Sequence, residues 1–193
     1  MNFVEYNVKD ANLEEILLAL KSLDTVEAVA LGGSRSTGTS DENSDYDIYV
    51  YCAEIPTAET RENLLGKYCS IAEFGNHYWE SEDNTVMNNG IPVDIIYREV
   101  DRFGRYIDTI IKGGKAFNGY TTAFWHNIKN SKVLFDKTGT FTKFRDMAQI
   151  DFPENLRSAI IKNNRNLLNG KLPSYDRQIK KAQERGDIVS VNH

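Results

Sequence analysis

A polar segment between two apolar runs carries the residues with the clearest chemical potential. It follows the apolar run Val26–Leu31 and begins with Gly32-Gly33-Ser34. Glycines directly after a strand let the backbone approach a ligand closely and turn its N–H groups outward, which suits a phosphate. The segment ends at Asp45-Tyr46-Asp47, where a second apolar run begins. The glycine-serine turn therefore predicts a phosphate-binding loop.

Two carboxylates stand two residues apart at the start of the second predicted strand. Because strand side chains alternate between faces, Asp45 and Asp47 are expected to point to the same face. Adjacent carboxylates repel each other, and a divalent cation bound between them relieves that repulsion. The pair therefore predicts a metal site beside the phosphate loop.

A third carboxylate lies within a later apolar strand, Ile91–Tyr97. Burying an unpaired Asp94 there would be costly. The cost is lower if Asp94 shares the cation held by Asp45 and Asp47. A phosphate loop with three strand carboxylates can hold Mg2+ and a nucleoside triphosphate together, which is what phosphoryl or nucleotidyl transfer requires.

This set of motifs resembles a known superfamily. Gly33-Ser34, a ten-residue loop, Asp45-x-Asp47 and the distant Asp94 are similar to the signature of the DNA polymerase beta nucleotidyltransferase superfamily. Arg35 and the motif Ser44-Asp45-x-Asp47 resemble the small bacterial branch that contains the lincosamide and aminoglycoside nucleotidyltransferases. The superfamily resemblance covers roughly the first half of the chain.

The resemblance implies an enzyme that moves a nucleoside monophosphate from a nucleoside triphosphate, expected to be ATP, to an acceptor hydroxyl. The expected acceptor is a small molecule such as an antibiotic. In the two-metal scheme of the superfamily, Asp45 and Asp47 hold both Mg2+ ions. Asp94 joins the catalytic ion and positions, or deprotonates, the acceptor hydroxyl.

The candidate site residues form two sets. The catalytic and metal-binding set is Asp45, Asp47 and Asp94, and the nucleotide-binding set is Gly33, Ser34 and Arg35. In the resemblance, Gly33 and Ser34 hold the β- and γ-phosphates. Two further carboxylates, Glu73 and Glu80, lie on neighbouring predicted strands and could approach the site, although most strand glutamates are solvated.

Two alternative functions remain open at this stage. One is the same chemistry on a protein partner, as in nucleotidyltransferases of toxin–antitoxin pairs. The other is a catalytically idle module that binds nucleotide as a sensor. The presence of all three carboxylates counts against the idle module, because only metal-supported chemistry needs them all.

Composition limits the partners. The chain has 193 residues and a net charge of -5, whereas a large nucleic-acid footprint needs a basic surface. The charge suits a cationic or neutral small acceptor. Mean hydropathy is -0.49, and no apolar stretch approaches the length of a membrane span. Without a signal-peptide pattern or metal-type cysteine spacing, Cys52 and Cys69 are expected to be free thiols in the cytoplasm.

The pattern of elements predicts an α/β fold, in which a small mixed sheet flanked by helices is followed by a C-terminal helical region. Asn12 is expected to cap the first helix. The turn signal Asn88-Asn89-Gly90 predicts an antiparallel hairpin that places Asp94 on its second strand. Residues 1–115 are predicted to form the catalytic core, and residues 116–193 a mainly helical region that is either short or incomplete compared with its relatives.

Overall fold

The computed structural model of the protein describes residues 8–41, 44–118, 121–169 and 174–191. The chain separates into two compact units. The first comprises the described residues up to 107 together with 124–149, and the second comprises those of 108–123 and 150–193. All candidate site residues belong to the first unit.

The first unit is built around a six-stranded mixed sheet. Its strands are β1 (Val26–Leu31), β2 (Tyr46–Cys52), β3 (Cys69–Asn76), β4 (Ser81–Met87), β5 (Pro92–Glu99) and β6 (Lys132–Asp136). Its helices are α1 (Ala11–Lys21), α2 (Gly33–Thr37), α3 (Ala58–Leu65), the larger parts of α4 (Val100–Ile111) and α5 (Ala123–Asn130), and α6 (Thr140–Ala148). The predicted α/β fold with a mixed sheet flanked by helices is confirmed.

The second unit contains three helices after the sheet region, within the part of the chain that is described. They are α7 (Glu154–Asn169), α8 (Tyr175–Glu184) and α9 (Ile188–Val191). The side-chain amide of Asn163 in α7 donates a hydrogen bond to the side-chain oxygen of Asn118 at 2.9 Å. Among the helices described in either unit, none combines the length and apolar character that crossing a bilayer requires.

The strand order β3-β4-β5-β2-β1-β6 places β2 and β5 at the centre of the sheet. These two strands are parallel, and the other neighbouring pairs are antiparallel. In the parallel register Asp47 lies directly beside Asp94. The topology thus joins two carboxylates that are far apart in the sequence.

The two faces of the sheet differ in character because strand side chains alternate. One face, here called the apolar face, packs against α1 through residues that include Leu13, Ile16, Ile48, Val50 and Ile95. The opposite face, here called the site face, carries Asp47 and Asp94 at one end. Farther along β2 on that face, Tyr51 packs edge-on against aromatic rings of α4 and α6. Aromatic packing thus closes one end of the site face and leaves polar residues at the other.

Of two local predictions, the N-cap of the first helix is corrected and the hairpin of β4 and β5 is confirmed. Asp10, rather than Asn12, is the N-cap: its carboxylate accepts from the backbone N–H groups of Asn12 and Leu13 at 3.0 and 3.3 Å. The backbone of Asp10 is extended, which places its side chain over the first turn, whereas Asn12 is already inside the helix. The predicted hairpin of β4 and β5 is present, with Asn84 opposite Asp94.

The segment around Val133 forms β6, which pairs with β1 at the edge of the sheet. Residues 124–149 accordingly lie in the first unit. The predicted division of the chain at residue 115 stays a proposal about domain organisation.

Candidate active site

The glycine turn lies directly against two side chains of β2. Gly32 ends the path from β1, and its N–H donates to the Asp47 carbonyl oxygen at 2.8 Å. A Cβ on Gly32 would overlap the Tyr49 ring, and a Cβ on Gly33 would overlap the Asp47 carboxylate. Gly33 also has a φ of +59°, a conformation that favours glycine. Both glycines are therefore explained by close approach to the site face.

After this turn the chain forms the short helix α2. Ser34 lies in its first turn and is partly exposed, and its carbonyl oxygen accepts from the Gly38 N–H where the helix ends. The structure therefore places Gly33 beside Asp47, and Ser34 is the next residue of α2. Their contact with phosphate stays a prediction.

Asp47 is the centre of the carboxylate group. Its pKa is raised to about 6, first by burial and then by the charges of Asp45 and Asp94. Asp45 lies just before β2 and Asp47 is the second residue of the strand. The structure therefore brings the three predicted carboxylates close enough for their charges to act on one another.

Asp94 is held by a side chain that the sequence analysis did not single out. The Asn84 side-chain amide donates to Asp94 Oδ1 at 2.9 Å. In turn, the Asn76 side-chain amide donates to Asn84 Oδ1 at 2.6 Å. Counting back from the Asn-Gly turn through the predicted hairpin register would have placed Asn84 opposite Asp94.

Arg35 is engaged by backbone oxygens. Its Nε donates to the carbonyl oxygens of Ser44 and Asp45 at 3.0 and 2.9 Å, and its Nη2 also donates to Ser44. The guanidinium stacks on the Tyr46 ring, with 4.1 Å between Cζ and the ring centroid. Arg35 therefore stabilises the loop that precedes β2 and contains Asp45. Its role as a phosphate ligand stays a prediction.

A second cation lies beside the loop and was not identified from the sequence. Lys132 on β6 donates from Nζ to the Arg35 carbonyl oxygen at 3.2 Å. Its Cα partner on β1 is Leu31, the residue before the glycine turn. A lone lysine on an edge strand carries no motif, so only the pairing of β6 with β1 reveals its position.

The other candidate glutamates have different surroundings. Glu80 forms a two-point ion pair with buried Arg98, with nitrogen–oxygen distances of 2.9 and 2.7 Å. Glu73 is exposed on β3. Glu82, two residues from Asn84 on β4, has a raised pKa because of burial and then the charges of Asp94 and Glu80. Glu80 therefore has a structural partner, whereas Glu82 extends the negative potential around Asp94.

The donor chemistry suits Mg2+, although the side chains do not form a ready-made cage. Within residues 8–41, 44–118, 121–169 and 174–191, no three His, Cys, Asp or Glu side chains are grouped as around a metal ion. Carboxylate oxygens are nevertheless the ligands that Mg2+ takes, and the charges of two further carboxylates, Asp45 and Asp94, raise the pKa of Asp47. The residues present therefore fit this ion by chemical type and charge.

The nucleotidyltransferase domain family matches residues 13–117, more than half of the chain. The chain therefore belongs to this family, and the nucleotidyltransferase domain predicted from the glycine-serine turn and the three carboxylates is confirmed. The matched segment contains both the turn and all three carboxylates. General nucleotidyl transfer is the activity that the family supports.

Solved structures are similar only at low identity. A crystal structure of a toxin–antitoxin with AMP-PNP is 17% identical over 91% of this chain and 96% of that chain, with a TM-score of 0.40. A structure of Cid1 in complex with its short product ApU is 18% identical over 52% of this chain, with a TM-score of 0.36. This chain covers 34% of that Cid1 chain. No curated protein matches the sequence.

Proposed function

We propose that the protein is a metal-dependent nucleotidyltransferase that moves a nucleoside monophosphate from a nucleoside triphosphate to an acceptor hydroxyl. The observation that carries the proposal is the position of Asp47, pressed against Gly33 and raised in pKa by Asp45 and Asp94. A purely structural carboxylate would be stabilised by a cationic partner. A carboxylate whose charged neighbours are also acidic is instead typical of a site that binds a cation.

The ion that fits this proposal is Mg2+, with Asp45 and Asp47 as its ligands and Asp94 as the third carboxylate. When bound by these carboxylates, Mg2+ would supply charge neutralisation for the phosphates and the attacking oxygen. Gly33 and Ser34 bind the β- and γ-phosphates through outward N–H groups and the serine hydroxyl. The protein itself supplies positioning and an environment prepared for the developing charge.

In the proposed reaction, the acceptor oxygen forms a bond to the α-phosphorus as the bond from that phosphorus to the bridging oxygen breaks. Pyrophosphate leaves, and the acceptor proton passes to Asp94 or, through it, to water. Asp94 therefore orients the acceptor while Asp45 and Asp47 hold the nucleotide. Removing Asp94 is accordingly expected to harm transfer more than nucleotide binding.

We further propose ATP as the donor, a small molecule as the acceptor, a cytoplasmic location and membership of the lincosamide and aminoglycoside branch. The Arg35 and Ser44-Asp45-x-Asp47 motif supports the branch, and the net charge of -5 suits a cationic or neutral acceptor. Transfer to a protein instead of a small molecule is the alternative, and it would involve the same chemistry.

Nucleotide binding is tested by calorimetry with ATP and a non-hydrolysable analogue, with and without Mg2+. We expect Mg2+ to strengthen binding, because the cation relieves repulsion between carboxylates and phosphates. Ser34→Trp should remove binding while leaving the folded state intact, as measured by circular dichroism. Equal affinity with and without Mg2+ would contradict the proposed site.

Transfer is tested by offering radiolabelled nucleoside triphosphates together with aminoglycosides, lincosamides or bacterial lysate. On the acceptor found, Asp94→Asn should lower turnover by at least ~10²-fold, about 2.7 kcal/mol, the size of one lost electrostatic contact in a transition state. Nucleotide affinity should fall much less, because Asp45 and Asp47 remain.

The matched control for this variant is Asp101→Asn, which neutralises an exposed aspartate in the first turn of α4. It should leave turnover unchanged. Wild-type turnover in Asp94→Asn would remove Asp94 from the catalytic site. Label found on a protein in the lysate would identify the alternative acceptor class.

A further inference from the structure

Two asparagines form a chain of hydrogen bonds that ends on the proposed catalytic carboxylate. Asn84 lies directly opposite Asp94 in the antiparallel pairing of β4 and β5. Its side-chain amide reaches Asp94 Oδ1 at 2.9 Å, and Asn76 at the end of β3 reaches Asn84 Oδ1 at 2.6 Å. Three adjacent strands therefore contribute one side chain each to this chain of contacts.

The direction of these hydrogen bonds follows from the charge of Asp94. An ionised carboxylate can only accept, so Asn84 must present its amide nitrogen to Asp94 and its carbonyl oxygen to Asn76. Asn76 must then present its own amide nitrogen. One acceptor at the site thus sets the orientation of both asparagines, and the reverse orientation would place two oxygens against each other at Asp94.

The geometry points to Asn84 as a positioning residue for Asp94, with Asn76 acting through Asn84. This inference rests on the proposed function, because it concerns how Asp94 works in that reaction. Asn84 occupies Oδ1 and so fixes the rotation of the carboxylate, which leaves Oδ2 for the cation and the acceptor hydroxyl. The strand backbone alone places the Asp94 Cα but does not fix the torsion of its terminal carboxylate, which is a soft rotation.

The surroundings explain why such a donor is needed. Asp94 lies between Asp47 on β2 and Asn84 on β4, with Glu82 close enough for the charge of Asp94 to raise its pKa. Negative neighbours on both sides would push the carboxylate out of alignment. A neutral donor on the β4 side holds it without removing its charge.

The first test compares Asn84→Leu, which keeps the size and removes the amide, with wild type. Hydrogen bonds to charged groups are among the stronger ones, so turnover should fall about 10-fold or more. The affinity for Mg2+ and ATP should stay within about threefold, because Asp45 and Asp47 are untouched. A general packing defect would instead lower nucleotide affinity and thermal stability together, and that result would overturn the inference.

The second test asks whether Asn76 acts through Asn84. Asn76→Leu alone should lower turnover by a smaller factor than Asn84→Leu. In the double variant, Asn76→Leu should add no further loss, because its partner oxygen is already gone. Multiplicative losses in the double variant would show independent roles and would contradict the proposed chain.

The matched control is Asn88→Leu in the turn between β4 and β5. Its side-chain amide donates to the Lys67 carbonyl oxygen at 3.1 Å and is exposed, so it tests loss of an asparagine on the same hairpin away from the site. It should leave turnover unchanged. A loss equal to that of Asn84→Leu would show that the hairpin, not the contact with Asp94, carries the effect.

A readout without turnover separates this inference from the proposed function. The side-chain amide resonance of Asn84, identified by its loss in Asn84→Leu, should shift when Mg2+ and a non-hydrolysable ATP analogue bind. In Asp94→Ala the shift should be largely lost. If Asp94→Asn abolishes turnover but Asn84→Leu does not, only the positioning role fails. If Asp94→Asn retains turnover, the proposed function of Asp94 fails first.

Discussion

Two carboxylates on opposite faces of the same sheet have opposite surroundings. On the apolar face, buried Asp83 lies 2.9 Å from Arg61 Nη1 and accepts from the Gly75 N–H at 2.9 Å. On the site face, Asp47 has Asp45 and Asp94 as the charged neighbours that act on its pKa. Burial raises the pKa of both carboxyl groups. The apolar face therefore pairs its buried carboxylate with a cation, whereas the site face brings several carboxylates together.

This difference distinguishes a carboxylate that has a cationic partner in the fold from one that we propose to bind a cation. Asp83 joins α3 to β4, and the guanidinium of Arg61 also stacks on Tyr97, with 4.4 Å between Cζ and the ring centroid. Asp83 therefore has a cationic partner within the fold at Oδ1, although its buried Oδ2 accepts no hydrogen bond from the described residues. The charges that act on the pKa of Asp47 are both acidic, so we expect a bound cation to be its favourable partner. The absence of a cationic neighbour among the charges that act on Asp47 is the feature that supports the proposed cation site.

The largest effect on stability is expected from breaking the ion pair between Arg61 and Asp83 on the apolar face. Arg61→Leu leaves Asp83 as an unpaired charge in the interior, which should lower the free energy of unfolding by about 3–5 kcal/mol. Denaturant titration followed by circular dichroism measures the loss. The exposed pair of Arg157 and Glu154, 3.6 Å apart, provides the control, and Arg157→Leu should cost less than about 0.5 kcal/mol.

A double variant sharpens the same prediction. Because Arg61→Leu with Asp83→Leu removes both charges, it should recover much of the lost stability. If it is as unstable as Arg61→Leu, packing rather than charge explains the loss. If Arg61→Leu is itself as stable as wild type, Asp83 is not the compensated carboxylate described above.

A smaller effect, limited to the site face, is expected at the glycine turn. Gly33→Ala puts a Cβ into the Asp47 carboxylate and strains a φ of +59°. Displacing Asp47 by a fraction of an ångström should weaken binding of Mg2+ with nucleotide by about 10- to 100-fold. Calorimetry measures the change, and circular dichroism checks that the variant is folded.

Gly38→Ala is a closely matched control for this variant. Gly38 also has a positive φ, +79°, but a Cβ there would meet nothing within 4 Å. It should therefore cost stability through backbone strain and leave nucleotide affinity unchanged. Equal losses of affinity in the two variants would attribute the effect to the backbone of α2 rather than to Asp47.

Local chemistry explains why much of the candidate site is visible in the sequence. The glycine-serine turn, the spacing of Asp45 and Asp47, and a carboxylate within the apolar strand of Asp94 are visible in short stretches. The hairpin around Asn89 follows from a two-residue turn signal. The parallel register that sets Asp47 beside Asp94 depends on how two distant strands meet, and no local pattern specifies it.

The elements that escaped prediction depend on tertiary packing. Helix α6 begins with Thr140, Phe141 and Thr142, residue types with modest helix propensity, and its N-cap Gly139 makes no side-chain hydrogen bond. Asp136 instead accepts from the N–H groups of Phe141 and Thr142 at 3.2 and 3.0 Å. The contacts of Lys132 with the Arg35 carbonyl oxygen likewise require the pairing of β6 with β1. Both features become visible only when the sheet is assembled.

The smallest expected effect concerns the pH dependence of the uncompensated carboxylate itself. The pKa of Asp47 is about 6 in the folded protein and 3.8 in the ordinary reference, so the folded state binds the proton more tightly. Stability from this group is therefore gained as pH falls through 6 and is lost as pH rises.

Asp47→Asn removes the titration, and at pH 7.5 it should be more stable than wild type by about 1 kcal/mol after allowing for solvent screening. Between pH 7.5 and pH 4 most of this advantage should be lost, because wild-type Asp47 gains its proton between its folded pKa of about 6 and its unfolded value of 3.8. Denaturant titrations of both proteins at the two pH values measure this difference, in which the other titrating groups largely cancel. An Asp47→Asn variant that is less stable than wild type at pH 7.5, or whose advantage is undiminished at pH 4, would contradict an uncompensated charge at Asp47.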